Sequence, residues 1–600
     1  MKRRLYLAAV NNRYGQNVFL PYAAGLLWCY ARRRSDVSSS YELCGTLFLK
    51  EPTERAADRL QQPEVVAFSS YIWNHEWNRA LAREVKRRWP ACVTVVGGIQ
   101  VEAESPRALE EEPAFDFAIY GEGEGAFAEF LVAHLRGAYE TVGSLVWRDG
   151  ATIRVNPRRA EVPIDDIPSP YLDGFFDELL SDRRWSFQAL QETNRGCPYA
   201  CSFCAWGESS LSKLRQFPAH RVVEEFDWMA QHQIEFLYNC DANWGILKRD
   251  LDLTRSLVDV KERFGYPKTF RAAFAKNSND TVFDISRRLN AAGMLKATTL
   301  ALQSMDDDVL QLIRRKNIKY ERLSQLSRKY EEAGIATYTE LILGLPGESL
   351  DQFREGIDAV LESGQHTGLS IYLCMLLPNT EMATPAYRAQ HGIRSAAMKA
   401  LLYHGTPEPG VVEEIQETVI ATKAMPEADL RFAFLYGCLV QALHGFGLTQ
   451  HLARSLRKEH GIPYREFYNG LARWLRGRPS TVLGRASARV LRAWDGAVEG
   501  RSWDTIDPRF GTIMWPPEEL LFLLVACEAD AFYEELLLDF IHPAAEPALT
   551  EQRRRFIPPV PGHEEEYARE AVWFGRKGRG ESLRLLPPQE ASQQAPKAVE

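Results

Sequence analysis

Asn194-Arg195-Gly196-Cys197-Pro198-Tyr199-Ala200-Cys201-Ser202-Phe203-Cys204 packs three cysteines into eight positions. The stretch follows an apolar run at 186–192 that reads as a strand. The thiols therefore sit on a loop at a strand's carboxyl end, where α/β barrels carry their functional groups. Three thiolates on one loop can each take one iron of a [4Fe–4S] cube and leave the fourth iron without a protein ligand. A structural zinc or an electron-carrying cluster wants four ligands, and the next cysteine is Cys240. Zinc and three incidental buried cysteines are the alternatives; spacing and placement favour the cube.

Outward from this loop, strand signals recur at 234–238, 269–275, 297–302, 336–342 and 368–373. Helical patterns lie between them, as at 222–229, 249–264 and 350–361. Six strand–helix units fall short of eight, which predicts a partial (β/α)6 barrel over 186–390. Upstream, apolar runs at 5–10, 65–70, 93–97 and 115–120, with a helical pattern at 20–33, predict a parallel sheet covered on both faces. This is a Rossmann-like α/β domain over 1–145. Its strand ends, Asn11-Asn12, Ser69-Ser70-Tyr71, Gly97-Gly98 and Gly121-Glu122-Gly123, are small or polar, as a ligand-bearing rim requires. Pro157, Pro163, Pro168 and Pro170 mark an ordered connector at 146–185. From 391 to 585 strand signals largely stop, and patterns at 425–446, 452–476 and 517–540 predict an α-helical C-terminal domain, whose place after the barrel suits a cover over its mouth. The segment 586–600, rich in Pro, Gln, Ala and Glu, reads as a disordered tail.

Composition narrows the class. The 600 residues are 45% hydrophobic and 25% charged, with 72 Lys+Arg against 80 Asp+Glu, a net charge of −8. That balance gives no electrostatic case for nucleic acid or an anionic membrane. The longest apolar run, 520–527, is too short to span a bilayer. The amino terminus reaches Asn11-Asn12-Arg13 before a signal-peptide core forms. Ten cysteines in a chain of this size make no disulfide scaffold, so the expectation is a reducing, cytoplasmic enzyme.

The C-x3-C-x2-C triplet, with Phe203 before its third cysteine, resembles the radical S-adenosylmethionine (SAM) superfamily over about 186–385. The resemblance implies that Cys197, Cys201 and Cys204 hold the cluster and that the open iron chelates SAM. One electron, from a donor such as flavodoxin or ferredoxin, then releases a 5′-deoxyadenosyl radical. Within Asn239-Cys240-Asp241-Ala242-Asn243, Asp241 and Asn243 stand where the family meets the SAM ammonium. Gln303-Ser304 stands at the ribose, and Glu340-Leu341-Ile342-Leu343-Gly344-Leu345-Pro346-Gly347-Glu348 near the adenine. Read without the family, Ser304 is a plausible helix N-cap and Gly344-Leu345-Pro346-Gly347 a turn.

The N-terminal domain resembles the cobalamin-binding domain that precedes this barrel in many relatives, through Pro21-x3-Gly25, Gly97-Gly98-Ile99 and Tyr120-Gly121-Glu122-Gly123-Glu124. The D-x-H-x-x-G motif that supplies a histidine to cobalt is absent, and only His75 and His134 precede residue 150. The resemblance thus implies cobalamin without a histidine below it and with Tyr71 and Trp73 near that face. Core packing of the two aromatics, or a relic domain that binds no cobalamin, are the competing readings. A narrower set, Cys204-Ala205-Trp206-Gly207-Glu208, Lys213-Leu214-Arg215, Asp241 to Ile246, Arg249-Asp250 and Lys276-Asn277, is similar to cobalamin-dependent C-methyltransferases of carbapenem and peptide pathways and to polytheonamide-type peptidyl enzymes.

That set implies methylation of an unactivated carbon of a peptide or small-molecule natural product, through the radical and methylcobalamin, with Trp206 lining the cavity between the cofactors. The alternatives are a peptidyl epimerase with Cys374 or Cys240 as hydrogen donor, a ring-contracting or cyclising enzyme, and a non-catalytic cluster-binding module.

Overall fold

Alternation along the strand Arg3–Asn11 sets the first layer. Leu5, Leu7 and Ala9 enter one core, beneath the helices Tyr22–Ala31 and Gly123–Arg136. Tyr6, Ala8 and Val10 enter another, beneath Thr53–Asp58 and His75–Arg88. A strand buried on both faces needs a covered parallel sheet, and the computed structural model, which describes residues 2–207, 213–276, 280–318, 320–366 and 368–570, contains one. Five parallel strands run in the order Tyr41–Leu49, Arg3–Asn11, Val65–Ser69, Val93–Gly97 and Phe117–Ile119. The antiparallel strands Leu145–Asp149 and Thr152–Val155 extend the last edge. The order reverses beside Arg3–Asn11, which opens a crevice beyond the carboxyl ends. Tyr41–Leu49 lacks a clear strand pattern because it is an edge, and only its last three residues and Tyr41 are buried.

The barrel is made of two parallel sheets. Thr269–Arg271, Phe236–Asn239 and Ser186–Gln191 form one, and Thr298–Gln303, Thr337–Leu343 and Leu369–Leu373 the other. A short strand from the N-terminal region, Asn17–Phe19, adds in parallel to the open edge of Ser186–Gln191. The third strand stops at Arg271 rather than running to 275, because Phe274 pairs instead with Trp244 in the preceding loop. Each half of the barrel shares its core with a different neighbour. The first packs with Val18, Leu20, Tyr22, Phe48 and Leu49 of the N-terminal region. The second is continuous with the C-terminal helices.

The C-terminal region is not wholly helical. Arg394–Lys399 and Ile415–Ala421 form an antiparallel hairpin attached to the end of the sixth barrel strand through Met375 and Thr418. Arg394–Lys399 has no β-branched residue, so its strand state comes from pairing rather than propensity. The pattern at 452–476 is two helices, Gln450–His460 and Tyr464–Trp474, because Gly461 turns left-handed and Pro463 follows it. The pattern at 517–540 likewise splits into Pro517–Ala526 and Ala529–Asp539. No single helix among the described residues is long and apolar enough to cross a membrane. The expected tail at 586–600 lies outside the described residues.

The carboxyl-end rim of the N-terminal sheet faces the barrel and the hairpin. Asn379, after the sixth barrel strand, accepts from the Ala103 amide at 2.8 Å and donates to the Ile99 and Val101 carbonyls at 2.9 and 3.1 Å. Glu414 of the hairpin accepts from the Glu76 and Trp77 amides at the start of His75–Arg88 and pairs with buried Lys50 at 2.7 Å. Burial pushes the Glu414 carboxyl up and the Lys50 ammonium down, while each charge opposes the shift of the other. Removing one partner strands the other in low dielectric, so Glu414→Ala is expected to destabilise the protein by about 3–5 kcal/mol. Glu414→Gln, able to keep a helix-end hydrogen bond, should lose less. Thermal melts of the two variants would show this ordering.

Candidate functional site

The cysteine loop is held from several sides before any cofactor is considered. Asp241, ending the second barrel strand, accepts from the Thr193 amide at 2.7 Å, the Asn194 amide at 3.1 Å and Asn194 Nδ2 at 2.8 Å, and from the Thr193 hydroxyl. Arg249 donates to the Thr193 and Phe217 carbonyls at 2.5 and 2.6 Å. Further along, the Ser202 amide donates to Ile313 at 3.0 Å, and its carbonyl accepts from Met382 at 2.9 Å. Asp241 therefore anchors the loop, with burial pushing its carboxyl up to about 6 against these donors. Both of its oxygens accept from Thr193 and Asn194, whereas the resemblance places Asp241 at the SAM ammonium.

Cys197 and Cys201 are buried and Cys204 half-buried. Asn243 Nδ2 donates to Cys197 Sγ at 3.2 Å, and Lys276 Nζ lies 3.8 Å from Cys201 Sγ. Arg315, buried after the fourth strand, bears on Cys201 and Cys204 and is held by Asn317 at 2.9 Å and by the Ala301 carbonyl. Burial pushes the Cys204 thiol up, and Lys276 opposes it. Nearby cations favour thiolate, the form that ligates iron. Among the described residues no three His, Cys, Asp or Glu side chains converge on a single metal ion. Three thiol donors with cationic neighbours fit a cube bound at three corners.

In the loops after the barrel strands several buried polar atoms have no partner within the protein, although such atoms are normally satisfied. They are Asn243 Oδ1, Gln303 Oε1, Arg315 Nη1 and Glu348 Oε2. Gln303 is left-handed at φ 64°, a strained conformation that turns the strand end. Ser304 does not cap a helix. Its hydroxyl donates to Glu348 at 2.6 Å, which staples the fourth and fifth strand loops together. Burial pushes the Glu348 carboxyl up to about 8. Arg315 carries no sequence signal beyond its basic neighbours, and Glu348 only its place after Gly-Leu-Pro-Gly. The residues present fit SAM.

Glu340 lies on the inner barrel face with Tyr338, and burial raises its carboxyl while Arg271 and Arg315 hold it down. Arg271 also faces Tyr14, Tyr238, Tyr338 and Tyr372. Tyr372 and Tyr403 keep 40% and 48% of their surface exposed, yet burial pushes both hydroxyls far up. Tyr403 comes from the hairpin connection and stands beside Tyr372, so the C-terminal region reaches the tyrosines around Arg271.

At the other rim, Gly98 has φ 102°, and an added Cβ would lie 2.6 Å from the Ser70 carbonyl. Gly97 has ordinary clearance, whereas Gly121 is left-handed at φ 75°. Tyr71 and Trp73 stack on each other at 4.5 Å and 6°, with Trp73 37% exposed. His75 is engaged by the Ser70 hydroxyl at 2.9 Å, and burial lowers its pKa. A glycine-opened crevice with an accessible aromatic stack and an engaged histidine fits a corrin that takes no histidine ligand.

Glu122 pairs with Arg195 and Arg215, which face each other across the antiparallel ribbon formed by Asn194–Arg195 and Arg215–Gln216 beside the cysteine loop, and Gly123 starts the helix behind it. Phe203 packs against the core shared by the second barrel half and the C-terminal helices. Trp206 lies in a half-buried turn, and Glu208 and Asn277 lie outside the described residues. Cys374 is buried behind the Gly344 turn, its thiol 3.6 Å from Met382 Sδ and pushed up to about 12 by burial. Cys240 is half-buried, and burial pushes its thiol far up.

Comparison with known proteins agrees with this division. Residues 38–131 match the B12 binding domain family, and residues 192–360 match the radical SAM superfamily. The cobalamin-dependent radical SAM methyltransferase TokK of Streptomyces tokunonensis is 40% identical over 81% of this chain and 72% of its own length. The 2-(S-pantetheinyl)-carbapenam-3-carboxylate methyltransferase of Streptantibioticus cattleyicolor is 40% identical over 80% and 71%. The cobalamin-dependent SAM radical enzyme OxsB shares the fold at a TM-score of 0.55 and 14% identity, covering 96% of this chain and 84% of that one.

The Glu348 carboxyl gives a pH signature. Between its ordinary value of 4.5 and about 8, the folded state keeps a proton that the unfolded state has released. Its contribution to stability therefore falls as pH rises, by about 1.4 kcal/mol per pH unit across that window. Glu348→Gln should remove this slope, so its stability relative to the parent rises from pH 5 to pH 8 in paired denaturation curves.

Proposed function

Because this chain belongs to the cobalamin-dependent radical SAM methyltransferases, we propose that it methylates an unactivated carbon of a carboxylate-bearing, carbapenam-like small molecule. It is a C-methyltransferase of natural-product biosynthesis that uses a [4Fe–4S] cluster, SAM and cobalamin. When bound, the cluster and SAM supply a 5′-deoxyadenosyl radical that takes hydrogen from the substrate, and cobalamin supplies the methyl group.

The protein's part is to bind, orient and exclude water. Cys197, Cys201 and Cys204 hold three irons, with Asn243, Lys276 and Arg315 at their sulfurs. Gln303 and Glu348 present free polar atoms to SAM. Arg271 is the observation that carries the substrate reading. It is a guanidinium at the end of a barrel strand, ringed by tyrosines and balanced within the barrel by Glu340. Such a fork pairs with a carboxylate through two parallel hydrogen bonds. The two relatives named above, one of which acts on a carbapenam-3-carboxylate, support this class. A small reductant protein of the ferredoxin or flavodoxin kind supplies the electron. The epimerase reading is not favoured, since the two relatives named above are methyltransferases and Cys374, one of its two candidate hydrogen donors beside Cys240, is turned into the core.

Anaerobic incubation of the reconstituted protein with SAM, a reductant and 2-(S-pantetheinyl)-carbapenam-3-carboxylate should give a product heavier by one or more methylene units, without deuterium from solvent. An unmethylated substrate that gains solvent deuterium would overturn the reading. Replacing all three loop cysteines by alanine should abolish the cluster absorbance and turnover together. Losing a charge-assisted pair of about 1.5–3 kcal/mol, Arg271→Gln should raise KM by about tenfold or more. Cys374→Ala should keep the rate of the parent.

A further inference from the structure

The Asn194–Arg195 ribbon and the N-terminal rim meet in a group of six charges, all but Glu161 largely buried. Arg195, two positions before Cys197, donates through Nη2 to Glu124 at 2.7 Å and through Nε and Nη2 to Glu192 at 3.0 Å, with Nη1 3.5 Å from Glu122. Arg215, its partner across the ribbon, pairs with Glu122 and lies 3.2 Å from Glu161. Glu122 and Glu124 stand at the start of Gly123–Arg136, just past the carboxyl end of the strand Phe117–Ile119. The group thus ties the crevice rim directly to the loop that carries the cluster ligands.

We propose that Glu122, Glu124, Arg195 and Arg215 are positioning residues that set the spacing between the cobalamin crevice and the iron–sulfur loop. The inference rests on the function proposed above. A guanidinium held from both sides fixes direction as well as distance, which a single point charge cannot do. Glu192 grips Arg195 from the barrel side while Glu124 grips it from the rim, so the guanidinium cannot follow one domain without the other. Asn379 and Glu414 also bridge to the rim, but from the end of the barrel and from the hairpin; this group reaches the cysteine loop. Group transfer is steep in distance: a misplacement of about 1 Å can lower a rate about hundredfold.

The test uses holoenzyme carrying Glu124→Gln, which keeps the shape of the side chain, or Arg195→Lys, which keeps the charge and loses the fork. Cluster and cobalamin content are matched by absorbance, and SAM and a strong reductant are added without substrate. Two products report the two sites. S-adenosylhomocysteine records methyl passage from SAM to cobalamin across the domain boundary, and 5′-deoxyadenosine records cleavage of SAM within the barrel. Each variant should lower S-adenosylhomocysteine about tenfold or more and leave 5′-deoxyadenosine within about twofold. The magnetic coupling between cob(II)alamin and the reduced cluster should weaken in parallel. Amide exchange at 121–124 and 194–197, read without cofactors, should speed up.

Loss of both products in proportion, or unchanged products with unchanged coupling and exchange, would overturn the proposal. A parent enzyme that forms 5′-deoxyadenosine but no S-adenosylhomocysteine would instead sink the methyltransferase reading and this inference with it.

Discussion

The buried Arg195 guanidinium, caught between Glu124 of one domain and Glu192 of another, is the contact on which the arrangement of the site depends. Two cofactors that must exchange a group are to be held by two domains, and loops by themselves do not fix a distance to within an ångström. Removing two guanidinium groups and three carboxylates from water carries a desolvation penalty of several kcal/mol per ion, and only close, directional pairing repays it. The response of the acids shows the balance. Arg195 and the helix-start amide hold the Glu124 carboxyl below its usual range, while burial outweighs attraction at Glu122 and Glu192 and raises both. Such a group adds little net stability but strongly penalises any arrangement that leaves one member unpaired.

This direct tie matters because the barrel is divided. Its first three strands share a hydrophobic core with the N-terminal region, and its last three share one with the C-terminal helices. Asn17–Phe19 fills the open edge on one side, and the hairpin at Met375 continues the other. Each barrel half thereby packs against a neighbour outside the barrel, and Tyr14 from one end of the chain and Tyr403 from the other join the tyrosines around Arg271. Polar rim-to-rim contacts through Asn379 and Glu414 close the remaining side.

The site itself reverses the usual economy of a protein interior. Most buried polar atoms find partners, yet Asn243, Gln303, Arg315 and Glu348 each leave one atom unpaired in the loops after the barrel strands. Gln303 is also held left-handed. These are the marks of groups kept ready for a ligand, tolerated because Ser304, Asn317 and Asp306 brace the surrounding loops.

The sequence alone determined the chemistry and the order of the parts. Spacing of Cys197, Cys201 and Cys204, period-two burial in the strands and the glycines at 97–98 and 121–123 are local signals, and local geometry decides what they can do. Resemblance then assigned cofactors to those parts. The tertiary structure decided how the parts are used. Asp241 and Glu122, which resemblance places at ligands, pair with the cysteine loop and its ribbon, because a carboxylate binds the nearest strong donors and those come from segments remote in sequence. Arg195, Arg271, Arg315 and Glu414 were silent for the same reason: a charged residue has no period or motif, and its role is set by what folding brings beside it. The strand Arg394–Lys399 was missed likewise, since a strand without β-branched residues exists only through its partner. Sequence patterns record what a residue needs from its immediate neighbours, whereas electrostatic and pairing roles are relations across the fold, and only the folded chain brings the two partners together.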